Sequence, residues 1–207
     1  LEYDNFNASS AKVHINGQSV HPGSAKGKMV SAVLVAMEFQ GMLPVFENPA
    51  YTEGHEGFYH LNSMKGNVEK ADMSYILRDH DSAKLEKKKE TFRKIAAYLN
   101  DKYGVDTIEV TIQDSYRNMK EQILNNMYIV DAAKEAIEKA GVKVISGPVR
   151  GGTDGARLSF MGLPCPNLGA GSHSAHGKYE YVCVQAMEKN IEVLTSIASR
   201  ICEIHAK

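Results

Sequence analysis

From Gly57 to Asp79 the chain reads GFYHLNSMKGNVEKADMSYILRD, two long runs of strand-forming residues broken near Lys65-Gly66. Met73, Tyr75 and Leu77 alternate with Ser74, Ile76 and Arg78, the period of two that sends successive side chains to opposite faces. The pattern predicts a hairpin with one apolar face, and its flanks predict what covers that face. Downstream, Asp81 or Ser82 can cap a helix in which Leu85, Phe92, Ile95, Ala96, Leu99 and Tyr103 form one apolar stripe, with the Lys-rich remainder turned to water. Asp106–Asp114, DTIEVTIQD, alternates as a further strand. Upstream, Ala11–Ile15 alternates, HPGSAKGKM reads as a turn, and Met29, Val33, Ala36 and Met37 recur at helical spacing. The order is β-α-β-β-α-β, a ferredoxin-like α/β domain over residues 11–113.

The rest changes character. A helix is expected near Met127–Ala140, a strand at Val142–Ile145, a short helix after Thr153, and a strand near Pro166–Leu168. In the closing helix, Val184, Met187, Ile191, Leu194, Ile197 and Ile201 step by three or four. Two strands are too few for a doubly wound sheet, whose central strands need neighbours on both sides. Residues 1–10 and 114–207 are therefore expected to be the C-terminal portion of a larger α/β domain that the ferredoxin-like unit interrupts, its first part lying upstream of Leu1.

Whole-chain chemistry removes several classes of function. Among 207 residues, 24 Lys and Arg nearly cancel 25 Asp and Glu, so no electrostatic pull toward nucleic acid or an anionic membrane surface is visible. No run approaches the ~18 apolar residues of a membrane span, and the opening LEYDNFNASS carries neither a Met nor a signal-peptide pattern. Three cysteines, Cys165, Cys183 and Cys202, are odd in number and lack Cys-x-x-Cys spacing, which fits a reducing cytoplasm. Asn7-Ala8-Ser9 matches a glycosylation triplet that arises often by chance.

Four stretches could carry chemistry. GHEGFYH sets His55, Glu56 and His60 at His-Glu-x-x-x-His, one residue longer than the helical zinc signature and on a strand entrance, where the imidazoles share no helical face. GSHSAHGKY places His173 and His176 in a loop before the closing helix, either as solvated histidines or as ligands at a strand end. It is not a phosphate loop, because its glycine spacing is one residue too long and Tyr179 stands where a hydroxyl should bind magnesium. HPG at His21–Gly23 puts an imidazole on a turn, where it caps the turn or donates to a developing oxyanion. In PVRGGTDGARLSFMG, Thr153 can cap the following helix while Gly151 and Gly152 bare the backbone beside Arg150. That is a carboxylate site, or else an arginine paired with Asp154 or Asp114 over a tight turn. No Gly-x-Ser-x-Gly elbow supports a serine hydrolase, and Cys165 lies between two prolines.

Taken together, NFNASSAKVHINGQSVHPGSAKGKMVSA, TEGHEGFYHLNSMKGNVEKADMSYILRDHD, DSYRNM, PVRGGTDGARLSFMGLPCPNLGAG and HGKYEYV resemble the aminoacylase and carboxypeptidase-like di-zinc peptidases. Within that family they are most similar to the bacterial cytoplasmic zinc aminotripeptidases. The resemblance spans nearly the whole chain. It implies that the ferredoxin-like domain is a lid, or in some members a dimerisation domain giving a homodimer, inserted in a zinc-binding catalytic domain. By that resemblance His176 is a zinc ligand, Arg150 holds the substrate carboxylate with Gly151 and Gly152 beside it, and His21 polarises the scissile carbonyl. Asn118 of YRNM falls where related enzymes place a substrate-binding amide. The implied partners are a tripeptide and the upstream part of the same polypeptide.

The chain also departs from the family pattern. The family uses a His-x-Asp motif, a bridging Asp, a Glu-Glu pair and a further acidic ligand, normally before the lid; this sequence has no Glu-Glu pair and no His-x-Asp. A zinc site takes about four ligands, so His176 cannot build one alone. The expectation is an aminopeptidase segment that by itself binds zinc weakly or not at all and does not cleave tripeptides. The alternative is a stand-alone peptide- or amino-acid-binding module without catalysis.

Overall fold

A computed structural model describes residues 1–206. In chain order the elements are β1 (Asp4–Asn5), β2 (Asn7–Asn16), α1 (Ala32–Gly41), β3 (Phe58–Gly66), β4 (Lys70–Asp79), α2 (Ser82–Tyr103), β5 (Ile108–Tyr116), α3 (Lys120–Leu124), α4 (Met127–Lys139), β6 (Pro148–Val149), α5 (Asp154–Phe160), β7 (Ser172–His173), β8 (Tyr181–Val182) and α6 (Val184–His205). They form two compact units, Phe6–Arg117 and Leu1–Asn5 with Asn118–Lys207. The lid boundaries read from sequence, 11–113, fall inside the first unit.

In the unit Phe6–Arg117 the sheet order is β3-β4-β2-β5, and every pairing is antiparallel. This is the ferredoxin-like arrangement. One face of the sheet offers Val13, Ile15, Met73, Tyr75 and Leu77, all buried under α1 and α2. Phe92 of α2 is the centre of that layer, meeting Tyr75 edge-on at 4.9 Å and Phe39 at 5.3 Å between ring centroids. The Asp81 carboxylate accepts from Lys84 N at 3.0 Å to start α2, and Gly104, at φ 115°, takes the positive-φ conformation that ends it.

Two details differ from the sequence reading. The α1 face that meets the sheet is Ala32, Val35, Ala36 and Phe39, whereas Met37 is 62% exposed. The α1 sequence is apolar around most of its circumference, so periodicity alone did not fix its orientation. On α2, Lys88 and Lys89 are buried rather than solvated. Their charges are matched: Lys88 pairs with Glu47, lies 3.8 Å from Asp79 and sits over the Tyr59 ring, while Lys89 meets Glu86 at 2.6 Å and Asp114 at 2.5 Å. Hydrogen bonds from Lys89 and Ser9 hold the Asp114 carboxyl below its usual range, and desolvation raises that of Asp79.

The second unit has little sheet. β1 and β6 pair in parallel, Asp4 with Pro148 and Asn5 with Val149, and the Leu1 amino group donates to Ile145 O at 2.9 Å. The strand expected at Val142–Ile145 is thus displaced to Pro148–Val149. The one expected at Pro166–Leu168 shrinks to a single bridge between Asn167 and Glu2. The predicted helices are present as α4, α5 and α6. A small core joins Leu1, Met119, Ile123, Val130, Ala133 and Ala156. The α6 stripe is largely bare: Val184, Met187, Ile191 and Leu194 are 63, 51, 65 and 55% exposed, and Val193 is the buried residue of that helix.

Candidate functional site

His21 stands at the start of a one-turn 3-10 helix, Pro22–Ser24, in the first unit. Pro22 supplies the fixed φ of a first helical position and has no amide to satisfy. The turn wraps on its own first residue. Gly23 N donates to His21 Nδ1 at 3.1 Å, and Ser24 N and Oγ donate to the His21 carbonyl at 2.9 and 3.3 Å. The side chain is exposed, and its Nε2 has no hydrogen bond among the described residues.

The remaining candidates lie in the second unit. Arg150 directly follows β6 and is half-buried. A Cβ added at Gly151 would meet nothing within 4 Å, so no contact inside this chain requires glycine there. Gly152 is exposed, and Thr153 caps α5 by accepting from Ala156 N at 3.1 Å. Gly155 is different: a Cβ there would strike the Cys165 carbonyl and come 2.8 Å from Asn167 Oδ1.

His176 sits between the two short strands β7 and β8. Gly177 N donates to Ser174 O at 2.9 Å, and both Ser174 and His176 take positive φ, 56° and 62°. A non-glycine residue held there is uncommon and marks a constrained turn. The His176 amide donates to Glu180 Oε2 at 3.2 Å, and its exposed ring has no hydrogen bond among the described residues. The neighbouring His173 stacks on Tyr181 at 5.0 Å. As a ligand, His176 offers one imidazole with both nitrogens accessible, which suits zinc as a single donor and falls short of the about four a bound ion takes.

Asn118 is tied into a local hydrogen-bond network. Its Oδ1 accepts from Asn5 N at 3.2 Å and Lys120 N at 3.0 Å, and its Nδ2 donates to Asp4 Oδ1 at 2.7 Å. Lys120 Nζ meets Asp4 Oδ2 at 2.8 Å, and this hydrogen bond raises the lysine pKa. Asn5 Oδ1 accepts from Met119 N. This knot ties the first residues of the chain to the start of α3. No periodicity announces it, because its members lie more than a hundred positions apart.

His55 and His60 share no helix: His60 is on β3, and His55 precedes it with its ring 4.8 Å from that of His80.

Residues 3–107 match the family model described as Peptidase dimerisation domain. The chain belongs to that family. It is 54% identical over 197 residues to Peptidase T of Clostridium perfringens, covering 95% of this chain and 48% of the relative. It is 50% identical over 207 residues to Peptidase T of Alkaliphilus oremlandii, covering 100% and 50%. The chain thus spans about half the length of these relatives. Among solved structures, a tripeptidase from Staphylococcus aureus aligns at TM-score 0.81 with 19% identity, covering 93% of this chain and 51% of that one. Aminopeptidase PepT from Bacillus cereus aligns at 0.81 with 20% identity, covering 96% and 52%. At such identities the likeness is one of fold. No helix among the described residues is long and apolar enough to cross a membrane.

Proposed function

We propose that the chain is the lid and C-terminal catalytic segment of a zinc-dependent aminopeptidase that releases the N-terminal residue of tripeptides in the cytoplasm. The observation that carries this reading is the identity of half or more, along essentially the whole chain, to proteins named Peptidase T. Three cysteines without a disulfide support the compartment.

On this reading, residues 6–117 act as the lid and dimerisation domain, and residues 1–5 with 118–207 belong to the catalytic domain. The planar fork of Arg150 pairs with the peptide carboxylate, and the open side of Gly151, next to the exposed Gly152, lets that group approach. His21 donates a hydrogen bond to the scissile carbonyl oxygen as it becomes an oxyanion. His176 contributes one ligand to zinc, which when bound supplies Lewis-acid polarisation and an acidified water. Asn118, which also holds the Asp4 end of the chain, is the amide placed to meet substrate. The partner is a second copy. A homodimer would cover the outer side of α1, where Leu34 is 64% and Met37 62% exposed.

The full-length protein with zinc should release a free N-terminal amino acid from tripeptides and lose that activity to a chelator. The 207-residue chain alone should show no turnover. Tripeptide cleavage by the full-length protein that survives complete metal removal rejects the reading.

A further inference from the structure

The His21 turn fixes more than the position of a ring. In neutral imidazole one nitrogen carries the proton and the other accepts, and the hydrogen bond at one nitrogen decides which. Nδ1 of His21 faces a donor that cannot become an acceptor, the Gly23 amide, at 3.1 Å. The proton of the neutral ring therefore resides on Nε2, the nitrogen left exposed.

A second observation concerns space. A Cβ at position 23 would lie 3.2 Å from both Cε1 and Nδ1 of His21, closer than most real contacts of that kind. The absence of a side chain lets the ring fold down onto the backbone amide. Pro22 sets the turn, and the two donors from Ser24 hold the His21 carbonyl. Each residue of the HPGS stretch thus restrains the imidazole or its backbone.

We propose that Gly23 is a positioning residue for His21, its amide selecting the Nε2–H tautomer so that the imidazole meets substrate as a hydrogen-bond donor and not as a base. The inference rests on the reading that His21 acts on the scissile carbonyl. The opposite tautomer would present a lone pair to an oxygen that is gaining negative charge, which is repulsive where stabilisation is needed. No proton leaves His21 in this role; Nε2–H is a fixed dipole aimed at developing charge.

The test uses the full-length protein and separates the two claims. Nitrogen-15 NMR of the imidazoles, with the His21 signal assigned by its loss in His21→Gln, should show Nδ1 unprotonated and Nε2 protonated in the neutral form. Gly23→Pro removes the amide on an exposed turn, where folding is checked by the melting curve. It should mix the tautomers and lower kcat by about tenfold at nearly constant KM, a fraction of the about 10²–10³ lost when an oxyanion donor is deleted. Gly23→Ala keeps the amide and should retain the tautomer with a smaller loss of kcat. A ring protonated at Nδ1 overturns the inference. So does a Gly23→Pro protein with unchanged tautomer and kcat while His21→Ala is crippled. A fully active His21→Ala protein instead overturns the catalytic reading beneath it.

Discussion

The helices α2 and α6 are both 22 residues long and both carry an apolar stripe at helical spacing, yet the two units treat those stripes in opposite ways. In the unit 6–117, Leu85, Phe92, Ile95, Ala96 and Leu99 are all exposed by 8% or less against a four-stranded sheet. In the other unit, Val184, Met187, Ile191 and Leu194 are each more than half exposed, and the strands there are only two residues long. Periodicity says which side of a helix is apolar. Whether that side is covered depends on a partner, and only the first unit supplies a four-stranded sheet to lay a helix on.

Truncating the centre of each stripe gives the largest contrast. Phe92→Ala should cost about 3–5 kcal/mol, because it empties a site enclosed by Phe39, Tyr59 and Tyr75. Leu194→Ala in the same 207-residue chain should change stability by no more than about 0.5 kcal/mol. Urea unfolding of both variants measures the difference. Equal costs would break the comparison. A cost of several kcal/mol for Leu194→Ala in the full-length protein alone would show that its stripe is covered there.

Within the second unit, two glycines four positions apart sharpen the contrast between space filled by this chain and space left open. Gly155→Ala forces a Cβ into the Cys165 carbonyl and should destabilise by about 1–3 kcal/mol, as overpacking does. Gly151→Ala meets nothing and should leave the melting curve unchanged. In the full-length protein it should nevertheless raise KM for tripeptides, since its open side is where the carboxylate is proposed to approach. Unchanged kinetics for Gly151→Ala would remove that glycine from the site.

Legibility in the sequence followed the same divide. The ferredoxin-like order was readable because each of its strands alternates and each has a partner of matching pattern nearby. Alternation marks only Ala11–Ile15 of β2, because Asn7, Ala8, Ser9 and Ser10 are small or polar, although the ladder continues through them. Lys88 and Lys89 read as solvent-facing from sequence because a charge run has the pattern of a wet face. Their partners Glu47, Asp79 and Asp114 are brought together only by the fold. In the second unit, Val142–Ile145 has strand composition but no ladder to join among the described residues. At the proposed site, it is the family resemblance that marks His21, Arg150 and His176; their local patterns alone leave a capping histidine, a paired arginine and a solvated histidine open. The positive φ of His176 and the Asp4–Asn118 knot are not announced by any periodicity or motif, whereas the Gly23 contact lies within the HPG turn itself.

The outer side of α1 is an apolar surface of the first unit that remains open, and it tests whether that unit is complete. α1 buries Ala32, Val35, Ala36 and Phe39 while Leu34 and Met37 face outward. The double variant Leu34→Glu, Met37→Glu should keep its melting temperature as a monomer yet weaken self-association of the full-length protein at least tenfold, about 1.4 kcal/mol. Sedimentation across a concentration series measures this. Association unaffected by both charges would place the dimer surface elsewhere.

The smallest effect expected is electrostatic and lies on the opposite, polar face of the sheet. His14 Nδ1 meets Asp72 Oδ1 at 2.7 Å and its Nε2 meets Asn16 Oδ1 at 3.1 Å, with Glu109 of β5 adding attraction. The Asp72 bond raises the His14 pKa above 6.5. A histidine pKa raised by folding means that the folded state binds the proton more tightly. The stabilisation is therefore full below 6.5 and fades as pH climbs through the raised value. Both side chains are substantially exposed, so solvent screening limits the effect to a few degrees at most. The melting temperature of the native chain minus that of His14→Gln should be positive near about pH 5.5 and shrink toward zero by about pH 8.5. A difference that stays constant across that range would mean that His14 stabilises the sheet by packing and hydrogen bonding, independent of its charge.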